Sequence, residues 1–121
     1  MILIDTSVWV SHFRDRNVEL ERLLNSGQVL CHPFIIGEIA CGYLKNRQEI
    51  LTLLKHLPMV DCAEHDEVLL FLESNNLMGV GLGWVDIHLA ASAKLTGVRV
   101  WTLDKKFSEI NQKVGLNTEL K

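Results

Sequence analysis

VRVWTL, residues 98–103, is the segment of this chain that most narrows its fold. Its β-branched and aromatic residues read as a buried strand, and helical stretches flank it. WVDIHLAASAKLTG (84–97) stops at a glycine, as helices do, and DKKFSEINQKVG (104–115) opens a second helix. The same alternation runs back to the first residue. ILI (2–4) is a short strand, with a helix beginning near Thr6 or Ser7. NVELERLLNSG (17–27) is helical, VLC (29–31) a strand, and PFIIGEIACGYL (33–44) a helix with proline in its first turn. RQEILTLLKHL (47–57) is amphipathic, MVDC (59–62) a strand and EHDEVLLFLESNNLM (64–78) a helix. GVGLG (79–83) is a glycine-rich approach to the next helix, and a short strand is expected after residue 115. Strands alternating with helices predict an α/β domain whose parallel sheet is covered on both faces. The 121 residues carry no repeat or linker, so one domain is expected over 1–121.

Charge is unevenly spread. Between Met1 and Phe13 the only charged residue is Asp5, between Leu23 and Leu44 only Glu38, and between Ser74 and Ala93 only Asp86. At 22% charged residues overall, each window should hold about three to five. Glu38 shares its helix with a broad apolar stripe of Ile35, Ile36, Ile39, Ala40, Tyr43 and Leu44, which predicts burial of the helix and partial enclosure of the carboxylate. An unpaired buried carboxylate costs several kcal/mol and is normally paired, protonated or bound to metal. A salt bridge to a distant Arg or Lys is the plain alternative for Glu38. For Asp86 it is helix-end electrostatics, and for Asp104 it is the N-cap of the helix that follows VRVWTL.

Together the four acids suggest more. Asp5 and Asp104 follow predicted strands, where open parallel sheets place their sites. Two unit charges about 4 Å apart repel by roughly 4 kcal/mol at an effective dielectric near 20. Four converging carboxylates would therefore need cations or protons. An all-oxygen set with the hydroxyls of Thr6, Ser7 and Thr102 nearby suits Mg2+ or Mn2+ better than zinc. Such an ion typically serves phosphoryl chemistry.

MILIDTSVWV, IIGEIACGYL, GLGWVDIHLAASA and VWTLDKKF, in this order and spacing, resemble the PIN-domain ribonucleases, specifically the VapC-type toxins of bacterial toxin–antitoxin pairs. The resemblance runs from Ile2 to Phe107. It implies a PIN-like three-layer α/β/α sandwich with a central parallel sheet of four to five strands. It implies that Asp5, Glu38, Asp86 and Asp104 are the catalytic, metal-binding acids, holding Mg2+ or Mn2+ for endoribonuclease cleavage of RNA by metal-activated water. It further implies a homodimer, and a toxin–antitoxin hetero-oligomer in which the antitoxin's tail fills the groove and can aim an Arg at the acids. His88 is bulkier than the residue many relatives place there.

The formal net charge is −3, from 12 basic and 15 acidic residues. Without the four acids the balance is 12 against 11, so no strong salt-driven grip on nucleic acid is expected. Arg14, Lys45 and Lys105 are candidate RNA contacts beside Arg16, Arg47 and Lys106, though each taken singly reads more readily as a solvated helix end. Cys31, Cys41 and Cys62 show no CxxC spacing, and no apolar run approaches the ~20 residues of a membrane span. The expectation is a cytoplasmic protein with reduced thiols and no membrane contact. Two alternatives remain. A receiver-type phosphoacceptor module finds footing in Asp61 and Lys105, but its first strand should end in two acids. A catalytically inactive PIN-like binding module is opposed by the intact acids.

Overall fold

The computed structural model describes residues 1–116. In chain order its elements are β1 (Ile2–Ile4), α1 (Thr6–Arg14), α2 (Val18–Asn25), β2 (Val29–Leu30), α3 (Pro33–Ala40), α4 (Arg47–His56), α5 (His65–Ser74), α6 (Trp84–Thr96), β3 (Arg99–Trp101) and α7 (Lys105–Lys113). The sheet is parallel with order β2-β1-β3, pairing Ile2 with Val29 and Arg99, and Ile4 with Trp101. Successive strand residues point to opposite faces, and Ile2, Leu3 and Ile4 are each 0% exposed. Both faces of the central strand are therefore covered, as parallel sheets require. The chain leaves this dry centre at Asp5.

Helix α6 is the principal buried helix. Ile87, Leu89, Ala90, Ala91, Ser92 and Ala93 are all buried, and the alanines permit the close approach to the sheet that their small size suggests. Gly97, in the left-handed region at φ 76°, ends it by donating to the Ala93 carbonyl at 2.8 Å. At the start of α3, His32 acts as N-cap by accepting the Phe34 N–H on Nδ1 at 3.0 Å. Burial first, and the nearby His88 second, push His32 down to about 4, which keeps the ring neutral as that cap demands.

Three expectations are corrected. Among the described residues the sheet has three strands where four or five were expected. Residues 59–62 make a single parallel bridge, Cys31 to Met59, in which the Val60 N–H donates to the Cys31 carbonyl, and beyond Val60 the backbone donors turn to α6. The Asp61 N–H binds Thr96 Oγ1 and the Ala63 N–H binds Ser92 Oγ, both at 3.0 Å, so side chains of α6 replace a ladder. The strand expected after residue 115 falls outside the described residues. The helix expected over 33–44 stops at Ala40, whose carbonyl accepts from Nε and Nη2 of Arg47 at 3.2 and 2.9 Å. Tyr43 therefore leaves the apolar stripe and stands fully exposed.

Because β1 is packed from both sides, Leu3→Ala should cost about 3 kcal/mol of unfolding free energy, within the usual range for a fully buried leucine. Urea denaturation at neutral pH measures it; a loss below about 1 kcal/mol would contradict this picture of the core.

Candidate active site

Parallel pairing fixes the first part of the site. The Asp5 N–H donates to the Trp101 carbonyl at 2.9 Å, which ties the end of β1 to the end of β3. Asp5 stands at the N-cap position of α1, yet its side chain makes no capping bond. Its Oδ2 instead accepts from Ser7 Oγ at 2.8 Å and from Thr102 Oγ1 at 2.7 Å. Both bonds fall on one oxygen, and Oδ1 takes no part in the network. The two hydroxyls lie 3.2 Å apart and accept from the backbone in turn: Ser7 from the Leu103 N–H and Thr102 from the Asp104 N–H, each at 3.0 Å. Asp5 is 6% exposed, and hydroxyl donors substitute for the water it has lost.

The other three acids arrive on separate helices. Glu38, near the end of α3, accepts from Thr6 Oγ1 at 2.6 Å, joining α3 to the first residue of α1. It is exposed, contrary to the enclosure expected. The core face of α3 is carried by Ile35 and Ile39, while Phe34, Gly37 and Glu38 face outward. Asp104 caps α7, its Oδ1 accepting the Phe107 N–H at 2.9 Å; the plain reading of this residue therefore holds alongside any other role.

Asp86, half-buried in the first turn of α6, registers the group. Burial, and then the charges of Asp5, Glu38 and Asp104, push its carboxyl up from the ordinary 3.8 to about 6, with a backbone hydrogen bond involving Gly83 acting in the opposite direction. Residues at positions 5, 38 and 104 thus act on one carboxyl. Among the described residues the ion pairs are Arg16 with Glu21 and Arg22 with Glu19, and neither involves these acids.

Hard oxygen donors without a protein counter-ion are the donor set that Mg2+ or Mn2+ prefers. The acids are neighbours in electrostatic range and do not form a closed cage. Among the described residues, no three His, Cys, Asp or Glu side chains stand close enough to hold an ion in their present positions.

The remaining candidates are more dispersed. Lys105 is exposed in the first turn of α7, beside Asp104. Arg14 ends α1 and Lys45 lies between α3 and α4, and the two line one groove. His88 is buried between Phe34 and Trp84, ring centroids 4.6 and 4.7 Å away, so it packs beside the site. Gly81 gave no sequence signal beyond its glycine-rich loop. At φ 89°, the place a β-carbon would take there lies 2.6 Å from Lys106 Nζ, so the lysine crosses the loop that leads to Asp86.

Two predictions follow from these contacts. Thr102→Val removes a donor to Asp5 and the acceptor of the Asp104 N–H, and should lower stability by about 1–3 kcal/mol in chemical denaturation. The folded protein holds the Asp86 proton more tightly than the unfolded chain does, so this group's contribution to stability declines as pH rises from about 4 to about 6. Asp86→Asn should accordingly melt above the parent protein at about pH 7.5 in EDTA, with the gap closing near pH 4. A gap independent of pH would refute the crowding of Asp86.

Comparison with known proteins assigns the chain to a family. The PIN domain family model matches residues 2–113. Ribonuclease VapC32 of Mycobacterium tuberculosis, in two strains, is 44% identical over 107 residues, covering 88% of this chain and 86% of the relative. The crystal structure of PAE2754 from Pyrobaculum aerophilum aligns with a TM-score of 0.61 at 16% identity, over 90% of this chain and 78% of the other, a likeness of fold alone. The chain belongs to the PIN domain family, among its VapC-type members.

Proposed function

We propose that this protein is the endoribonuclease toxin of a toxin–antitoxin pair, hydrolysing RNA phosphodiesters at Asp5, Glu38, Asp86 and Asp104 in the presence of Mg2+ or Mn2+. The observation that carries the reading is the Asp86 carboxyl, raised first by burial and then by three acids distant in sequence, in a chain 44% identical to a protein named a ribonuclease. Asp5, Glu38, Asp86 and Asp104 would together hold the ion and supply the negative field that attracts it. Ser7 and Thr102 orient Asp5, and Thr6 orients Glu38. When bound, the divalent ion supplies a Lewis acid that acidifies water and offsets charge on the leaving oxygen.

The partners proposed are the RNA substrate, a cognate antitoxin and a second copy of the chain, in the cytoplasm. Among the described residues, no helix is long and apolar enough to cross a membrane. The receiver-type alternative is not favoured. Its phosphoacceptor would be Asp61, which is exposed, follows a single bridge and is not among the acids that act on Asp86.

Asp5→Asn should reduce RNA cleavage by roughly 100-fold or more, the order of loss seen when a group that holds transition-state charge is removed. It should also abolish growth arrest on expression while leaving the circular dichroism spectrum unchanged. Mg2+ should raise the melting temperature of the parent protein more than that of Asp5→Asn. Full metal-dependent cleavage by the variant would overturn the assignment.

A further inference from the structure

A groove of about 420 Å³ opens between the last turn of α1 and the loop joining α3 to α4. Its walls include Phe13, Arg14, Tyr43, Lys45 and Asn46, and among the described residues no carboxylate lines it. Among the described residues neither Arg14 nor Lys45 belongs to an ion pair. The loop is held in shape from both ends. The Cys41 and Gly42 amides donate back to Gly37, Glu38 and Ile39 carbonyls, the Arg47 guanidinium binds the Ala40 carbonyl, and Asn46 takes the left-handed conformation at φ 58°. Tyr43 and Lys45 thus stand on a braced loop opposite Arg14. A lone exposed aromatic on a surface is ordinary. One that lines the same groove as two cations without ion-pair partners among the described residues is in a different environment.

The groove also has a fixed relation to the acids. Helix α1 begins at Thr6, which is bonded to Glu38, and ends at Arg14. Eight residues at about 1.5 Å each separate the two ends by about 12 Å. That distance corresponds to about three or four stacked nucleotides at about 3.4 Å each. Positive side chains with an aromatic face are the components that hold single-stranded nucleic acid without reading its sequence.

We propose that this groove is a second contact for the RNA, holding unpaired chain about three to four nucleotides from the cleaved bond, with Arg14 and Lys45 on phosphates and Tyr43 stacked on a base. The proposal rests on the ribonuclease reading and adds to it a preference for single strands that extend beyond the acids. A structured duplex would not present the face that Tyr43 needs.

The test uses the full chain carrying Asp5→Asn to prevent cleavage, with fluorescein-labelled single-stranded RNAs of mixed sequence, about 12 and about 4 nucleotides long. Tyr43→Ala should weaken binding of the longer RNA roughly tenfold and leave the shorter one unchanged, and Tyr43→Phe should restore it. Arg14→Ala with Lys45→Ala should reduce the slope of log affinity against log salt by about 1.4, at about 0.7 per contact on a single strand. In the cleavage-competent chain, Tyr43→Ala should raise KM for long RNA and leave kcat in place. Equal affinity of the variants and their parent for the longer RNA overturns the subsite, even where cleavage at the acids stands. Variants that lose only the binding of a protein partner overturn it as well. Absence of cleavage by the parent protein together with absence of binding to either RNA overturns the ribonuclease reading itself, a result distinct from loss of the length dependence.

Discussion

Burial and three neighbouring carboxylates oppose ionisation of Asp86, and the rest of the molecule has to sustain that opposition. Like charges gathered at the edge of an apolar core favour separation, so a stable scaffold must hold them from outside the cluster. The parallel pairing of β1 between β2 and β3 provides it. A one-residue slip of β1 would draw the Asp5 carboxylate into the apolar centre of the sheet or push the fully buried Ile4 out of it, so the position of Asp5 relative to Thr102 is fixed by the core.

Hydroxyl groups do the local work. Ser7 and Thr102 hold one oxygen of Asp5, and each in turn receives a backbone N–H from the turn that leads to Asp104. The first and last of the four site acids are thus joined through uncharged hydroxyl donors. A lysine or arginine in place of these hydroxyls would hold Asp5 equally well, but it would cancel the charge that a cation needs. Donors without charge orient the carboxylate and preserve its field. Thr6 plays the same part for Glu38.

The hydroxyl groups of α6 show how the fold limits its own sheet. Ser92 and Thr96 use their hydroxyls to bind the backbone at Ala63 and Asp61. That segment consequently runs alongside the sheet edge with one bridge and does not add a further strand. The same helix carries Asp86 in its first turn, so one element sets both the width of the sheet and the height of the third acid above it.

The alternation of strand and helix, the parallel sheet, the caps at Gly97 and Asp104, and the isolation of four acids in apolar windows were all legible in the amino-acid sequence. Each depends on side-chain period, backbone preference or composition within a few residues, and these are local properties of the chain. The exposure of Glu38, the early end of α3, the failure of residues 59–62 to pair fully, and the meeting of Arg14, Tyr43 and Lys45 in one groove were decided by tertiary structure alone. Burial and backbone satisfaction depend on which distant segment packs against a given residue. Asp61 lost its ladder to a threonine 35 positions away, and no periodicity within either segment carries that information.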